Sequence, residues 1–523
     1  MTKKISIFFA ILLLLGLAIR LNFTFFHYFD ADEFVNLHSS WLVAQNLLPY
    51  RDFHQFYTPL FWYLLYPLFI IFKSASALLY SARFLIFLLN LGIFYYTYQI
   101  AKFYGNKKAA WLALILLSFS VIYLRKSIEV RPDVPLTLLG LIAIYYLIKT
   151  LPLTLPSPTR GEEKSPHSEI IKAGLSLGLG LLFVQKGIFY VFGLTLGLLL
   201  IKNLKKINII YLLTAVCLPI SLLTLFYFYK KSFPVFFNSV FLFPLQLSKC
   251  FPAWETLQPT LFHYDTFFWI AALLGMIRCR KNVLLLTTVL SFFIYVFFMA
   301  TAYYQYYLPF LPLLAIFGGL FLKDIKNKHL IILLCLGLLQ PLYIFSKELQ
   351  NPQAKNKDQI KLISYLLSHT AEKEIIFDSW SEYIFRPHAY PVFQIGRGLL
   401  KTNIYDDIPK YLREKECKIL LGNGHLKDLK PGIVSFLGDN YIHSGYDILY
   451  LAGKQFHISA EQTAEFELIA SGNYSAEFSG KAILVDGKPI KANEQLFLSK
   501  GLHTVHSAEA KEIVFKYILE ENR

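Results

Sequence analysis

The sequence predicts an α-helical membrane protein that crosses the bilayer about eleven times and ends in a water-soluble region of α/β plus β-sandwich type. The 523 residues are 55% hydrophobic and only 16% charged, whereas soluble proteins carry about 25% charged residues. The composition changes after Ser346. Residues 1–346 hold 29 basic and 12 acidic residues, a net charge of +17, while residues 347–523 hold 22 and 23, a net charge of −1.

The apolar stretches start at the N-terminus, and most are long enough to span a bilayer as helices. The predicted spans cover residues 5–22, 78–100, 109–124, 133–149, 173–190, 188–201, 208–229, 266–277, 283–300, 307–322 and 329–346. The first span follows Lys3 and Lys4 without a small-residue cleavage site. We therefore interpret it as a retained anchor and not as a signal peptide.

Lysine and arginine concentrate in alternate connections, and short basic loops face the cytoplasm. With the N-terminus inside, five basic connections fall on the cytoplasmic side, those containing Lys102, Lys149, Lys202, Arg278 and Lys323. The outer side then receives residues 23–77, 125–132, the turn at Lys186, 230–265, 301–306 and everything after about residue 347. The sequence thus predicts a multi-pass protein of the cytoplasmic membrane whose C-terminal region is extracytoplasmic.

Two connections are long. The outer loop 23–77 contains an aromatic stretch from Pro59 to Phe72 that is too short to span comfortably and predicts a helix lying in the membrane interface. The inner connection 150–169 is rich in Pro, Ser and charge, which predicts a disordered insertion without a role.

The C-terminal region divides into two predicted domains. Helical and strand patterns alternate over residues 347–454, which indicates a small α/β unit. From residue 455 to the end, short strand patterns follow one another with glycine turns, including the hairpin signal Asp486-Gly487. We expect a small β-sandwich there.

The charge and the cysteines exclude two further classes. Basic residues scattered between apolar runs do not form the clustered patch that nucleic acid requires, so no nucleic-acid partner is expected. The five cysteines lack CxxC pairing and zinc-like spacing with histidine, so neither a disulfide framework nor a zinc site is predicted.

Acidic residues cluster directly after the first span. Asp30, Asp32 and Glu33 fall within four residues, and ionisable groups at a membrane boundary are costly, which favours a functional role. The alternative is that they cap the helix that follows. Capping explains one acid well and three poorly.

The second cluster is RKSIEVRPDVP, residues 125–135, on a short outer connection. Asp133 follows Pro132, and a role as the first residue of a helix and a functional role of its carboxylate are equally compatible with this position. Arg125, Lys126 and Arg131 are basic residues on the outer side, whereas most Lys and Arg of the membrane part lie in the inner loops. A bound anion would account for these three cations.

Lys186 lies in a long apolar run, and Arg83 lies near the outer start of the second span. Lysine at a tight outer turn is suited to pairing with a phosphate, and snorkelling to the interface is the alternative. Tyr303, Tyr304, Tyr306 and Tyr307 either belong to an aromatic belt or line a pocket for a sugar or lipid headgroup.

Four motifs in order resemble the GT-C superfamily of polytopic glycosyltransferases, in the branch of the protein O-mannosyltransferases and lipid A aminoarabinose transferases (glycosyltransferase family 39). They are DADEFVNLHSSWLVAQNLLPYRDFHQFYTPL at residues 30–60, Arg-Pro-Asp at 131–133, a glycine-rich pattern ending at Lys186, and YYLPFLP at 306–312. The resemblance covers roughly residues 5–346. It implies an inverting transfer of a hexose or pentose from a polyprenyl-phosphate donor to a lipid, glycan or protein acceptor.

The resemblance also implies roles for individual residues. Asp32 would be the catalytic base, Glu33 its neighbour and Asp133 a second acid. Lys186 would bind the donor phosphate, and we add Arg131, Arg83 and Arg125 as further phosphate ligands. We expect Tyr57, Tyr303, Tyr304 and Tyr306 in the substrate pocket. Metal dependence is open, with a divalent cation at Asp32 and Asp133 as one alternative.

One departure from the family bears on the donated sugar. The aminoarabinose transferases carry Lys-Pro-Pro where this chain has Tyr57-Thr58-Pro59, which argues against aminoarabinose. The rival function is a transporter or flippase of lipid-linked sugars. Transporters are expected to contain internal repeats and helices broken at the midplane, and the sequence contains no such repeat.

The orientation can be tested by thiol labelling in a chain whose native cysteines have been replaced. We expect a membrane-impermeant maleimide to label the Ser435→Cys variant in intact spheroplasts, because the C-terminal region is predicted to lie outside. The Ser157→Cys variant should react only after the membrane is disrupted. Labelling in the reverse order would contradict the orientation.

Overall fold

A computed structural model describes residues 3–150, 166–201, 206–246, 252–299 and 302–519. The described chain forms two compact units. The first comprises Met1–Asn36, Pro49–Arg51 and Gln55–Lys357, and the second comprises Leu37–Leu48, Asp52–His54 and Asp358–Arg523. Most of the predicted insertion 150–169 lies outside the described residues.

The first unit is helical. Its helices are α1 (Lys3–Phe26), α2 (Ala31–Ala44, whose second half belongs to the second unit), α3 (Leu60–Ile71), α4 (Ala75–Tyr104), α5 (Lys107–Phe119), α6 (Val121–Ser127), α7 (Asp133–Thr150), α8 (Pro166–Phe183), α9 (Ile188–Leu200), α10 (Lys206–Tyr229), α11 (Phe233–Phe237), α12 (Trp254–Pro259), α13 (Thr266–Arg278), α14 (Val283–Phe298), α15 (Leu311–Leu322) and α16 (Asn327–Gln350). Short 3₁₀ turns at Gln185–Gly187 and Tyr304–Tyr307 join neighbouring helices.

Each of the eleven predicted spans overlaps at least one described helix, but the number of crossings is not confirmed. Within the described residues, five helices are long and apolar enough to cross a membrane. The number of possible spans rises to seven if each of the two bent helix pairs counts as one span. The third predicted span is broken at Ser120, where α6 turns 69° away from α5. Length alone did not reveal this break because the hydrophobic run continues through it.

The helix of the outer loop is confirmed as an element. The predicted stretch from Pro59 to Phe72 forms α3, which ends at Ile71. Trp62 and Leu65 of this helix are buried. A second helix, α2, begins at the acidic cluster.

Glycines allow the helices to approach closely. A Cβ at Gly275 of α13 would overlap the carbonyl oxygen of Phe317 on α15, and one at Gly178 of α8 would lie 2.5 Å from that of Val216 on α10. Membrane helices associate through such small residues, because lipid provides no hydrophobic force that drives them together.

The second unit contains three helices and two sheets. The helices are α17 (Lys357–His369), α18 (Ile408–Glu414) and α19 (Pro431–Asn440). The strands are β1 (Ile376–Phe377), β2 (Ile419–Leu421), β3 (Tyr441–His443), β4 (Leu449–Ile458), β5 (Gln462–Leu468), β6 (Gly472–Phe478), β7 (Ile483–Val485), β8 (Lys488–Ile490), β9 (Glu494–Leu498), β10 (Gly501–Ser507) and β11 (Lys511–Tyr517).

The strand order connects the two predicted C-terminal domains. One sheet runs β1-β2-β4-β11-β6-β9 with β3 beside β4, and the other runs β5-β10-β7-β8. The first half of β4 pairs with β2 and the second half pairs with β11. The division predicted at residue 454 therefore falls inside a strand that both parts share.

The two sheets face each other across an apolar layer, as expected for a sandwich. Phe466 of β5 stacks on Phe515 of β11 with a centroid distance of 4.6 Å and an interplanar angle of 7°. Both rings are buried together with Val505 and Ile513.

The contact at Gly275 makes a stability prediction. Gly275→Ala should lower the thermal unfolding temperature of the detergent-solubilised protein, because the added methyl group overlaps backbone and overpacking costs about 1–3 kcal/mol. Gly438→Ala is the matched control, since nothing lies within 4 Å of the Cβ position at Gly438 in α19. An unchanged unfolding temperature for Gly275→Ala would contradict the close helix contact.

Candidate functional site

The acidic cluster lies at the beginning of α2. Asp30 Oδ1 accepts the backbone N–H of Asp32 at 3.1 Å, and Glu33 Oε1 accepts that of Asp30 at 2.8 Å. This reciprocal pattern is that of a capping box. Capping therefore explains Asp30 and Glu33, and Asp32 is the acid of the cluster that capping leaves unexplained.

Glu33 forms a buried ion pair with Arg83 of α4. Arg83 Nε donates to Glu33 Oε2 at 2.9 Å, Arg83 Nη2 donates to Oε1 at 2.6 Å, and neither side chain is exposed. The backbone N–H of Val130 also donates to Oε2, at 3.1 Å. Glu33 thus joins α2, α4 and the loop that precedes α7.

Arg83 does not fit the predicted role of a phosphate ligand. Its other three N–H groups donate to the carbonyl oxygens of Thr24, His27 and Tyr28 at 2.6–3.3 Å. A guanidinium carries five N–H donors, and all five are used inside the protein. The sequence placed Arg83 on the outer side but could not reveal that Glu33 and the end of α1 surround it.

Arg131 lies between three carboxylates. Its Nη1 donates to Asp32 Oδ2 at 2.5 Å, its Nη2 donates to Asp30 Oδ1 at 2.7 Å, and its Nε donates to Glu129. Lys126 pairs with Asp30 at 3.2 Å and with Glu129 at 2.8 Å. The two cations hold the acids of two separate loops in one cluster.

Burial and nearby cations shift the pKa values of Glu129 and Asp30 in opposite directions. Burial raises the pKa of Glu129 to about 7, although Arg131 and Lys126 oppose this shift. Burial also acts to raise the pKa of Asp30, but Lys126 and Arg131 overcome it and hold the pKa below its usual range. Asp30 is thus the more acidic of these two carboxyl groups.

The second acid, Asp133, begins α7 and forms an ion pair with Lys186. The Lys186 ammonium also lies 4.9 Å from the centre of the Tyr306 ring. Burial lowers the pKa of Lys186, and Asp133 acts in the opposite direction. The structure therefore brings together Asp133, Lys186 and Tyr306, which are far apart in sequence.

Tyr57 belongs to the same site. Burial raises its pKa well above the ordinary value, and the nearby charges of Asp32 and Asp133 raise it further. Tyr306 packs against Tyr295 and Tyr303 with centroid distances of 5.2 and 5.8 Å. The ring beside the Lys186 ammonium, that of Tyr306, is thus part of a larger aromatic group.

Arg125 and Tyr304 lie at another cluster. Arg125 forms an ion pair with Glu348 near the end of α16 and lies 4.9 Å from the centre of the Tyr264 ring. Tyr304 packs edge to face against Tyr264. The structure therefore groups Arg125 with Glu348, an acid that the sequence analysis did not single out.

Glu129 was also missed as a site residue. It lies two positions before Arg131 on the same short connection, and this neighbourhood is the one signal that could have identified it. Its contact with Arg131 depends on the backbone path of residues 128–132, which sequence does not give.

The described residues contain no group of three or more His, Cys, Asp or Glu placed to hold a metal ion. Asp32 and Asp133 are instead paired with Arg131 and Lys186. A cation at these two acids therefore stays a hypothesis.

The structure resembles known membrane enzymes. ArnT from Cupriavidus metallidurans superposes with a TM-score of 0.63 at 9% identity, covering 86% of this chain and 98% of ArnT. The Archaeoglobus fulgidus oligosaccharyltransferase tethered to an acceptor peptide gives a TM-score of 0.51 at 10% identity, covering 98% and 97%. Both are GT-C glycosyltransferases.

The chain has the GT-C fold. Residues 57–227 also match the family model "Dolichyl-phosphate-mannose-protein mannosyltransferase". The matched range includes Asp133 and Lys186 but not Asp32. A search of curated proteins finds no match. A second ArnT structure, bound to undecaprenyl phosphate, gives a TM-score of 0.56 at 11% identity and covers the same 86% and 98%. The resemblance found in the sequence is thus confirmed at the level of the GT-C fold.

The buried pair Glu33–Arg83 makes a second stability prediction. Arg83→Met should strongly reduce the yield of folded protein, because removing one partner of a buried ion pair costs about 3–5 kcal/mol. Asp324→Asn breaks the exposed pair with Arg278 and should cost at most about 1 kcal/mol. Size-exclusion profiles after graded heating measure both. Equal effects of the two variants would contradict the structural role of Arg83.

Proposed function

We propose that the protein transfers a sugar from a polyprenyl-phosphate donor to an acceptor on the outer face of the cytoplasmic membrane. The fold supports lipid-linked glycosyl transfer, since one relative with this fold is seen with undecaprenyl phosphate. The observation that carries the proposal is the cluster of paired charges at Asp32, Arg131, Asp133 and Lys186. It combines an acid that can accept a proton with cations that can stabilise a phosphate.

Asp32 is the general base in this proposal. Asp30 and Glu33 cap α2, and Glu33 is saturated by Arg83. Asp32 and Asp133 are each paired with one cation, but the side chain of Asp133 is almost fully buried. The Asp32 side chain is 21% exposed, whereas that of Glu33 is fully buried. Asp32 can therefore take the proton of an acceptor hydroxyl or amine within hydrogen-bonding reach.

The reaction is a direct displacement. The acceptor oxygen or nitrogen attacks the anomeric carbon as the bond to the donor phosphate breaks, and the proton of the acceptor passes to Asp32. The bonding electrons leave with the polyprenyl phosphate. One displacement inverts the anomeric centre, and no covalent enzyme intermediate is formed.

Lys186 stabilises the departing phosphate. Its ammonium carries three N–H donors, so the ion pair with Asp133 leaves donors for phosphate oxygens. The ring of Tyr306 reduces the water around this charge, which strengthens its attraction to an anion. Arg131 acts on Asp32 and orients its carboxylate.

The predicted orientation of the first, helical unit places the proposed reaction on the outer face of the membrane. Asp32, Arg131 and Lys186 all lie on connections that the distribution of basic residues predicts to be outside. Soluble nucleotide sugars are made in the cytoplasm, so a sugar used outside has to arrive on a lipid carrier. The acceptor is then a lipid, glycan or protein of the cell envelope.

Purified protein supplied with polyprenyl-phosphate sugars tests the proposal. Asp32→Asn should lower kcat by at least about 100-fold, because it removes the base and keeps the shape of the side chain. Lys186→Met should lower kcat/KM for the donor, and Lys186→Arg should retain part of it. Asp324→Asn, which changes an exposed acid away from the site, should behave as wild type.

Two outcomes would contradict this proposal. Wild-type turnover in the Asp32→Asn variant would exclude Asp32 as the base. Binding of lipid-linked sugars without transfer to any acceptor would favour a transporter or flippase.

A further inference from the structure

Helix α6 carries Lys126 and leads directly into the loop that carries Glu129 and Arg131, yet it has only seven residues. It is separated from α5 by a 69° bend at Ser120. So short a helix is not stable by itself. Its position must therefore be set by contacts with other elements.

Asp265 holds the beginning of α6. It lies at the bend that precedes α13, and its carboxylate accepts the backbone N–H groups of Val121 at 2.6 Å and Ile122 at 3.2 Å. The hydroxyl of Ser120 donates to the same carboxylate at 3.0 Å. These N–H groups have no partner within the helix, because they belong to its first turn.

Asn90 and Arg20 hold the end of α6. Asn90 Nδ2 donates to the carbonyl oxygen of Ser127 at 2.7 Å, and Arg20 Nη1 donates to the Ser127 hydroxyl at 2.6 Å. The Tyr123 hydroxyl donates to Asn90 Oδ1 at 2.8 Å, so Asn90 contacts α6 twice. Asn90, Arg20, Tyr123 and Ser127 are all buried.

The loop after α6 is held as firmly. The N–H of Val130 donates to Glu33, and its carbonyl oxygen accepts the side-chain amide of Asn36 at 3.1 Å. Arg131 is the next residue. Only three residues separate Arg131 from α6, so the position of α6 and the two bonds at Val130 together determine where Arg131 lies.

We propose that Asp265 and Asn90 are positioning residues of the transfer reaction, which hold α6 at its two ends and thereby set the position of Arg131 relative to Asp32. This inference rests on the proposed function. Neither residue contacts Asp32 in the described hydrogen bonds. Both act through the backbone of α6.

The choice of residues supports a role beyond folding. Ser120 already caps α6, because its hydroxyl accepts the N–H of Tyr123 at 3.2 Å. A buried carboxylate is costly, and a charge is not required to satisfy the N–H groups of a first turn, because a hydroxyl or amide oxygen accepts them as well. The charge at Asp265 adds two directional bonds to the same helix end, and such bonds fix position more narrowly than apolar contact does.

The test uses the purified full-length protein and the transfer assay. Asp265→Ala and Asn90→Leu should lower kcat by about 10- to 100-fold, since small displacements in a reacting site have effects of this size. KM for the donor should change less than about threefold, because Lys186 lies on a different element, the turn between α8 and α9. Asp265→Asn keeps one acceptor oxygen and should recover part of kcat.

Two matched variants separate positioning from general damage. Thr97→Val replaces another buried polar residue of α4 by an isostere, and it should leave kcat within about threefold. Tyr123→Phe removes one donor to Asn90 and leaves the bond to Ser127, so its effect should be smaller than that of Asn90→Leu. Hydrogen exchange should become faster over residues 121–131 in Asp265→Ala and Asn90→Leu.

The outcomes are distinguishable. Loss of kcat with little change in KM and faster exchange over residues 121–131 supports the inference. Wild-type kcat in both variants overturns it, as does an equal loss in Thr97→Val. Wild-type protein that transfers no sugar overturns the proposed function, and unchanged exchange over residues 121–131 then overturns the holding role as well.

Discussion

The ion pair between Glu33 and Arg83 is the constraint on which the rest of the site depends. Two charges are removed from water, and this cost is recovered only if their remaining donors and acceptors are satisfied. Here all five N–H groups of Arg83 have acceptors. The acceptors include the carbonyl oxygens that follow α1, so the pair fixes the chain at the point where it turns into α2.

The same pair organises the second loop. Glu33 accepts the N–H of Val130, which places Arg131 beside Asp32. The three acids of the cluster therefore have different roles. Asp30 and Glu33 stabilise the beginning of α2, and this local structure holds Asp32 in position. Three acids within four residues need not share one role, because each faces a different set of partners.

Buried polar side chains recur where the helices break. The bend between α5 and α6 and the bend before α13 meet at the carboxylate of Asp265. Broken helices leave backbone groups without partners, and in a membrane such groups must be satisfied within the protein. The bends therefore come with their own polar partners, and the second bend supplies the acid that caps the first.

The sequence by itself determined the class of the protein, the approximate position of each apolar helix and the motifs of the GT-C resemblance. These follow from composition and hydrophobic runs, which are local properties of the chain. It also identified Asp32, Asp133, Lys186 and Arg131 as candidates, because charged residues stand out between apolar spans.

Only the tertiary structure decided how these residues pair. It assigned Arg83 to Glu33, Arg125 to Glu348 and Lys186 to Asp133, and it brought Glu129 into contact with Arg131. It also showed that the third predicted span is bent at Ser120 and that the two predicted C-terminal domains share strand β4. The partner of a buried charge is set by the packing of elements distant in sequence, and neither residue type nor spacing along the chain encodes that distance.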